Sequence, residues 1–258
     1  MELIQWPRAQ YWDKAWNPIV GCRPCSPACY NCYARALTER FGHSFEPRYA
    51  KPGRPPRKGV VFAGNMTDLF GAWVDDPAIF IYATGKKHRA PKAKFLYLTK
   101  RVERMIRTIY DGAAGNSIAA RVRDIRNSGV ELYHHFFGWT AEDQDWFDIR
   151  LRDFQTWPTW AKWWISAEPL LGPIDLHFQF FNEGHLPSWV VVGCESGQHR
   201  RPCKIEWVES IVDQCRTAGV PVFVKQLDID GACERDIEKF PAHLQIRQVP
   251  WAKKEGAE

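Results

Sequence analysis

Four thiols crowd into one stretch, Gly21-Cys22-Arg23-Pro24-Cys25-Ser26-Pro27-Ala28-Cys29-Tyr30-Asn31-Cys32-Tyr33-Ala34. The last three read C-x3-C-x2-C. That spacing lets three thiolates meet three corners of a [4Fe-4S] cube and leaves the fourth iron open to a small molecule. An open iron can pass an electron to what it binds. The Pro- and Gly-rich backbone can turn its N–H groups toward the sulfurs and so help hold the negative charge of a cluster. Four thiols also suit a closed tetrahedral zinc shell. Zinc loops usually pair two well-separated C-x2-C units, whereas here all four thiols share one loop. The spacing favours iron–sulfur and leaves zinc as the alternative.

Other residues able to do chemistry follow short apolar runs. Val60-Val61-Phe62-Ala63-Gly64 leads to Asn65, Thr67 and Asp68, and Phe95-Leu96-Tyr97-Leu98 leads to Thr99, Lys100 and Arg101. Phe136-Phe137-Gly138-Trp139 leads to Glu142 and Asp143, and Trp163-Trp164-Ile165-Ser166 leads to Glu168. Val190-Val191-Val192-Gly193 leads to Cys194, Glu195 and Ser196, and Val222-Phe223-Val224 to Lys225 and Gln226. A carboxylate directly after an apolar run is partly buried and needs a partner, which singles out Glu168 and Glu195. Lys100-Arg101 and Glu142-Asp143 also read as solvated helix starts. Cys194 reads as a small packed hydrophobe. Cys203, Cys215 and Cys233 lack ligand-like spacing and read as structural. His134-His135 reads as a strand start in the core.

What positions these groups is a series of runs apolar on both faces, the pattern of buried parallel strands. Helical segments alternate with them. Tyr33 to Phe41 ends at Gly42, a suitable residue for the left-handed position after a helix. Ile205, Val208, Ile211, Val212 and Cys215 share one helical stripe, closed by Gly219. Alternating β and α predicts a wound parallel sheet or a full or partial (β/α) barrel, with the cysteine loop after the first strand and the chemistry at the carboxyl ends of the strands. Arg48 to Lys58, the Gly112–Gly115 region and a tail from about Ala252 read as weakly structured.

The chain has 258 residues, 45% hydrophobic and 25% charged, which fits a single domain spanning 1–258. A net charge of +5 tolerates a nucleic-acid partner without the look of a basic arm. No apolar run is long enough to span a membrane. The N-terminus has no basic segment followed by an apolar one, so eight cysteines read as reduced thiols or ligands in the cytosol of the host cell.

C-x3-C-x2-C is similar to the signature of radical S-adenosylmethionine (SAM) enzymes. The longer pattern Trp16-Asn17-Pro18, Gly21-Cys22, Ser26-Pro27, Cys29, Asn31-Cys32-Tyr33-Ala34 resembles the phage-associated three-cysteine-motif family, a domain of unknown function. The likeness continues through Asn65-Met66-Thr67-Asp68-Leu69-Phe70, Leu98-Thr99-Lys100-Arg101, Glu142-Asp143-Gln144, Glu168-Pro169-Leu170-Leu171-Gly172-Pro173, Glu195-Ser196-Gly197 and Lys225-Gln226. The narrower family spaces its thiols C-x6-C-x2-C, which selects Cys22, Cys29 and Cys32. The broader signature selects Cys25, Cys29 and Cys32.

The resemblance implies a barrel of the radical SAM type, a [4Fe-4S] cluster, S-adenosyl-L-methionine and an external electron donor. Cys22, Cys25, Cys29 and Cys32 are then the candidate metal ligands. Glu142, Glu168 and Glu195 would meet the sulfonium, amine or ribose. Lys100, Arg101 and Lys225 would meet a carboxylate or a substrate anion. Asn65, Thr67, Asp68, Thr99 and Ser196 would hydrogen-bond the ribose or methionyl group, and Glu168, Glu195 and Lys225 are the candidate catalytic residues. Many radical SAM enzymes carry Gly-Gly-Glu after the second strand; this chain has Gly64-Asn65-Met66-Thr67-Asp68, so that contact is made differently.

A DNA or nucleotide substrate is consistent with basic Arg48, Lys51, Arg54, Arg57 and Lys58, with Arg200-Arg201, and with Trp157, Trp160, Trp163 and Trp164 as stacking surfaces. The Asn31-Cys32-Tyr33 segment is similar to spore photoproduct lyase. Phage association implies hypermodification of a DNA base, such as rearrangement of a modified thymidine. An electron-transfer module without SAM chemistry, or a zinc-stabilised nucleic-acid-binding protein, are the alternatives.

Overall fold

The computed structural model describes residues 3–51, 53–85, 92–110, 134–154, 157, 161–181 and 185–253. In chain order its regular elements are β1 (Leu3–Gln5), β2 (Lys14–Trp16), β3 (Ile19–Val20), α1 (Tyr33–Arg40), β4 (Arg48–Tyr49) and β5 (Lys58–Ala63). There follow α2 (Ala78–Gly85), β6 (Lys92–Thr99), α3 (Val102–Tyr110), β7 (His135–Thr140), α4 (Gln144–Phe154) and β8 (Lys162–Ala167). The series ends with β9 (Val190–Gly193), α5 (Ile205–Ala218), β10 (Val222–Ile229), β11 (Ala232–Glu234) and β12 (Gln248–Lys253). The fold is mixed α/β. It packs as two compact units, one made of Trp12–Trp139 with Ile149–Lys162, the other of Met1–Tyr11, Thr140–Asp148 and Trp163–Glu258.

In the first unit β2, β5, β6 and β7 pair in parallel in that order. The apolar runs fill this core. Val61, Phe95, Leu96, Phe137 and Trp139 are sealed from solvent, and Tyr97 stacks on Phe137 at 5.1 Å. Burying each such side chain contributes about 1.5–3 kcal/mol against the entropy of ordering it. His135 opens β7 inside this core, as its position in the sequence suggests. The segment from Trp16 to Val20 divides between two strands. Trp16 ends β2, and Ile19–Val20 turns away to pair antiparallel with β4. Pro18, which has no N–H to give a ladder, lies at the break. The cysteine loop therefore follows β3, not the first strand of the chain.

In the second unit β8, β9 and β10 run parallel, and β11 turns back antiparallel on β10. Helix α5 makes the crossover between β9 and β10. Val208, Ile211, Val212 and Cys215 are its buried stripe, and Gly219 ends it in the left-handed conformation. Tyr11, Trp164, Trp189 and Phe223 meet edge to face at 5.0–6.0 Å in the core. β1 pairs antiparallel with β12.

Trp157, Trp163 and Trp164 are buried, so these rings pack cores and are closed to base stacking. Trp160 and the Gly112–Gly115 region lie outside the described residues. Ala252 and Lys253 still belong to β12, and the rest of the expected tail also lies outside. Among the described residues no helix is long and apolar enough to cross a membrane.

Candidate metal centre and strand-end residues

The cysteine loop is tied down at both ends within the first unit. Gly21 has φ +95°, a conformation that favours glycine, and a Cβ there would collide with the Glu46 carbonyl. Its N–H donates to Met66 O at 3.0 Å, and its carbonyl accepts from the Thr67 hydroxyl at 2.6 Å. The Cys22 N–H donates to Phe45 O at 3.1 Å. At the far end Pro27–Cys29 forms a 3-10 turn, and Cys32 stands at the N-cap of α1. The Tyr33 hydroxyl reaches Asn65 O at 2.5 Å. Asn65 is itself fixed by Asn17, whose amide donates to Asn65 Oδ1 at 2.8 Å.

Asp68 is the hub beneath this loop. It is buried and accepts from the Phe70 N–H at 2.9 Å, the Thr99 hydroxyl at 2.7 Å, the Lys100 N–H at 3.2 Å and Arg101 Nη1 at 2.9 Å. Arg101 lies 4.7 Å over the Trp73 ring, and its Nη2 donates to Arg23 O at 2.8 Å. Asp68 therefore holds Arg101, and Arg101 holds the backbone of the cysteine loop. Asn65, Thr67, Asp68, Thr99 and Lys100 lie beside the cysteine loop. Thr67, Asp68 and Thr99 already spend polar atoms on the scaffold.

All four loop thiols are half-buried. The neighbouring Cys25 thiol, with the Lys100 charge, lowers the Cys29 pKa below the usual thiol range. Its neighbour Cys29, together with burial, raises Cys25. Burial, reinforced by Asp68, pushes Cys22 up to about 11. Cys22 also feels Cys29 and Cys32. Among the described residues no three Cys, His, Asp or Glu side chains stand in ready metal geometry. In donor type the four thiols are what an iron–sulfur cluster takes, though their side chains do not converge on one point. The thiols neighbour one another, one is favoured as thiolate, and the positive charges of Lys100 and Arg101 act on them.

The remaining candidates belong to the second unit. Glu142 is fully buried, and Asp143 caps α4 through the Trp146 N–H at 3.0 Å, so the pair is not a solvated helix start. Glu168 follows β8 and forms an ion pair with Lys225 of β10 at 2.8 Å, with both side chains mostly buried. Gly193 on β9 makes room for it. A Cβ there would stand 3.2 Å from Glu168 Oε1 and 3.1 Å from Gln226 Cγ. Lys225 Nζ also lies 5.6 Å from the Tyr11 ring centre. Glu195 is buried and is gripped by Arg201, whose backbone N–H donates at 2.9 Å and whose Nε donates at 3.0 Å. Ser196 is half-buried beside it.

The need of Glu168 and Glu195 for partners was legible from their flanks; the identity of those partners was not. Gln226 was also missed as a structural bridge. Its amide donates to Cys194 O at 2.6 Å and its carbonyl accepts from Arg235 Nε at 3.1 Å. A row of exposed apolar side chains, Tyr30, Tyr33, Leu37 and Phe41, was missed too, although the 3- and 4-residue spacing announces it. Arg48, Lys51, Arg54, Arg57 and Lys58 are exposed.

Residues 7–240 match the model of a family described as "Protein of unknown function (DUF5131)". No curated protein and no solved structure matches the chain.

Proposed function

We propose, for a chain that belongs to this uncharacterised family, that it is a radical SAM enzyme carrying a [4Fe-4S] cluster and acting on a nucleic-acid or nucleotide substrate. The carrying observation is the cysteine loop. Its four thiols share one short loop, which is anchored through Gly21, Arg23 and Tyr33 and set beside cations that favour a thiolate. When bound, such a cluster with an open iron supplies the electron that cleaves the sulfonium C–S bond of SAM and yields a hydrogen-abstracting 5′-deoxyadenosyl radical.

Cys29 and Cys32 are proposed ligands together with Cys22 or Cys25. Lys100 offsets thiolate charge at the carboxyl end of β6. Asn65 has its side-chain oxygen engaged by Asn17, so its proposed contact to a ribose or methionyl group falls to its amide N–H2. Glu168 and Lys225 present opposite charges 2.8 Å apart, a match for the amine and carboxylate of a zwitterion. Glu195 positions Arg201 for an anion, and the exposed basic segment Arg48–Lys58 would follow phosphates. A barrel of the radical SAM type, phage association and rearrangement of a hypermodified thymidine belong to the same proposal.

Anaerobic reconstitution with iron and sulfide tests the cluster. The expected product is brown, with a broad visible absorption. Addition of SAM and dithionite is then expected to release 5′-deoxyadenosine. A coloured protein that leaves SAM intact points to an electron-transfer module instead. A colourless protein that binds zinc through four thiolates supports the zinc reading, which the four thiols of the loop also suit.

A further inference from the structure

Exposed rings and positive charge coincide in one stretch of the first unit. Among the described residues six large apolar side chains are exposed, and five of them are Tyr30, Tyr33, Leu37, Phe41 and Tyr49. Residues 23–58 also hold eight Lys and Arg against two Glu, an excess of six, whereas the whole chain carries +5. The remainder of the chain is therefore close to neutral. We infer that this stretch is a docking surface for single-stranded nucleic acid, with bases stacked on the rings and phosphates on the flanking cations. This surface deepens the nucleic-acid reading proposed above, on which it rests.

The helix sets out the rings. Tyr33, Leu37 and Phe41 recur every four residues, so they line one face of α1 and its C-cap over about 12 Å. Tyr30 precedes them by one turn. Ala34 and Thr38 are buried and anchor the helix through a different face. Exposed Arg40, three residues from Leu37, flanks the row. The Tyr33 hydroxyl donates to Asn65 O at 2.5 Å, which fixes that ring before any ligand arrives. At the far end, Arg48 Nη1 donates at 2.7 Å to the carbonyl of Ser44, three residues past Phe41. β4 thus starts at the end of the row, and exposed Lys51 and Arg54 follow it in the chain. Each acid of the stretch is matched by a cation, Glu39 by Arg35 at 3.6 Å and Glu46 by Arg23 at 3.4 Å.

The chemistry of the surface selects its occupant. A second copy of this chain would bring like charges face to face. A helix lying on an anionic bilayer buries Leu, Phe and Trp, whereas three of these five side chains are Tyr. An unpaired base offers an open face to a ring, and its backbone offers a phosphate to a cation. A base stacked inside a duplex offers no such face. Trp157, Trp163 and Trp164 are buried, so the α1 row supplies exposed rings that they do not. Tyr30 and Tyr33 directly follow Cys29 and Cys32, so a strand held on the row runs up to the cysteine loop.

The test is fluorescence anisotropy with the full chain, a labelled oligothymidylate of about 20 nucleotides and a duplex of the same length, across a salt series. The single strand is expected to bind about tenfold tighter than the duplex. Tyr30→Ala and Phe41→Ala, both at exposed positions, should each weaken it about tenfold at every salt concentration and leave the salt slope unchanged. Arg54→Ala should lower that slope by about 0.7. Equal binding of duplex and single strand, with the ring variants unchanged, overturns the docking surface and leaves nucleic acid as the substrate class. Failure to bind either at low salt overturns both. Ring-dependent attachment to anionic vesicles, or ring-dependent self-association, without preference for the single strand also overturns the docking surface. SAM cleavage is read separately, from 5′-deoxyadenosine, and stands or falls apart from these outcomes.

Discussion

Replacing Arg101 by Met keeps the stem of the side chain and removes the head that joins Asp68 to the cysteine loop. Asp68 and Arg101 side chains are only 8% and 20% exposed, so solvent screens the pair weakly. Asp68 would retain its bonds from the Phe70 and Lys100 N–H groups and the Thr99 hydroxyl, which holds the loss below the ~3–5 kcal/mol of a fully orphaned buried charge. A hydrogen bond to a charged group contributes about 1.5–3 kcal/mol. The contact with Trp73 adds about 0.5–1 kcal/mol. The expected loss is therefore about 2–4 kcal/mol, read from urea unfolding with and without high salt. A double-mutant cycle with Asp68→Asn isolates the pair, with an expected coupling of about 1.5–3 kcal/mol that changes little with salt. Freed of its bond to Arg101, the Arg23 carbonyl no longer fixes the loop, and iron affinity should fall about tenfold. A coupling below about 0.5 kcal/mol, as at an exposed surface pair, refutes the clamp.

Three further outcomes are expected. His135 is buried with Nδ1 unpartnered, and burial, with His134, lowers its pKa from 6.5 to about 3. The unfolded chain therefore takes up the proton first, and this residue's contribution to stability falls as pH drops from about 6.5 toward 3. The loss is about 1.4 kcal/mol at pH 5.5 relative to alkaline solution, and His135→Phe should remove it; parallel stability–pH curves for the two proteins exclude this account. Gly193→Ala should cost about 1–3 kcal/mol by pressing on Gln226 and Glu168, measured by denaturation, and unchanged stability would show that the contact relaxes freely. Cys22→Ala and Cys25→Ala should separate in iron content after reconstitution, and equal retention in both means neither thiol is indispensable.

The parallel strands were legible because each is a run of apolar residues buried on both faces, and the residues closing those runs are where the fold puts them. Helices α1 and α5 were legible for a local reason as well, a buried stripe or a glycine at the left-handed position. What was hidden depends on register between distant strands. Nothing local to Glu168 or to Lys225 says that β8 and β10 bring the two charges together. Arg101 was visible as a charge beside Lys100, but its reach to Arg23 depends on where Asp68 and Thr99 meet. The tryptophans misled because the same large ring serves a core and a stacking surface equally well, and only burial distinguishes them.

The pairing of β1 with β12 sets Gln5 opposite Gln248 and Leu3 opposite Lys253. This clasp gives the second unit an optical handle. Two dyes attached near those strands would stay within energy-transfer range while the clasp is closed and move apart when it opens. Because the cysteine loop belongs to the other unit, such a signal follows the integrity of one half of the molecule while the other half is perturbed.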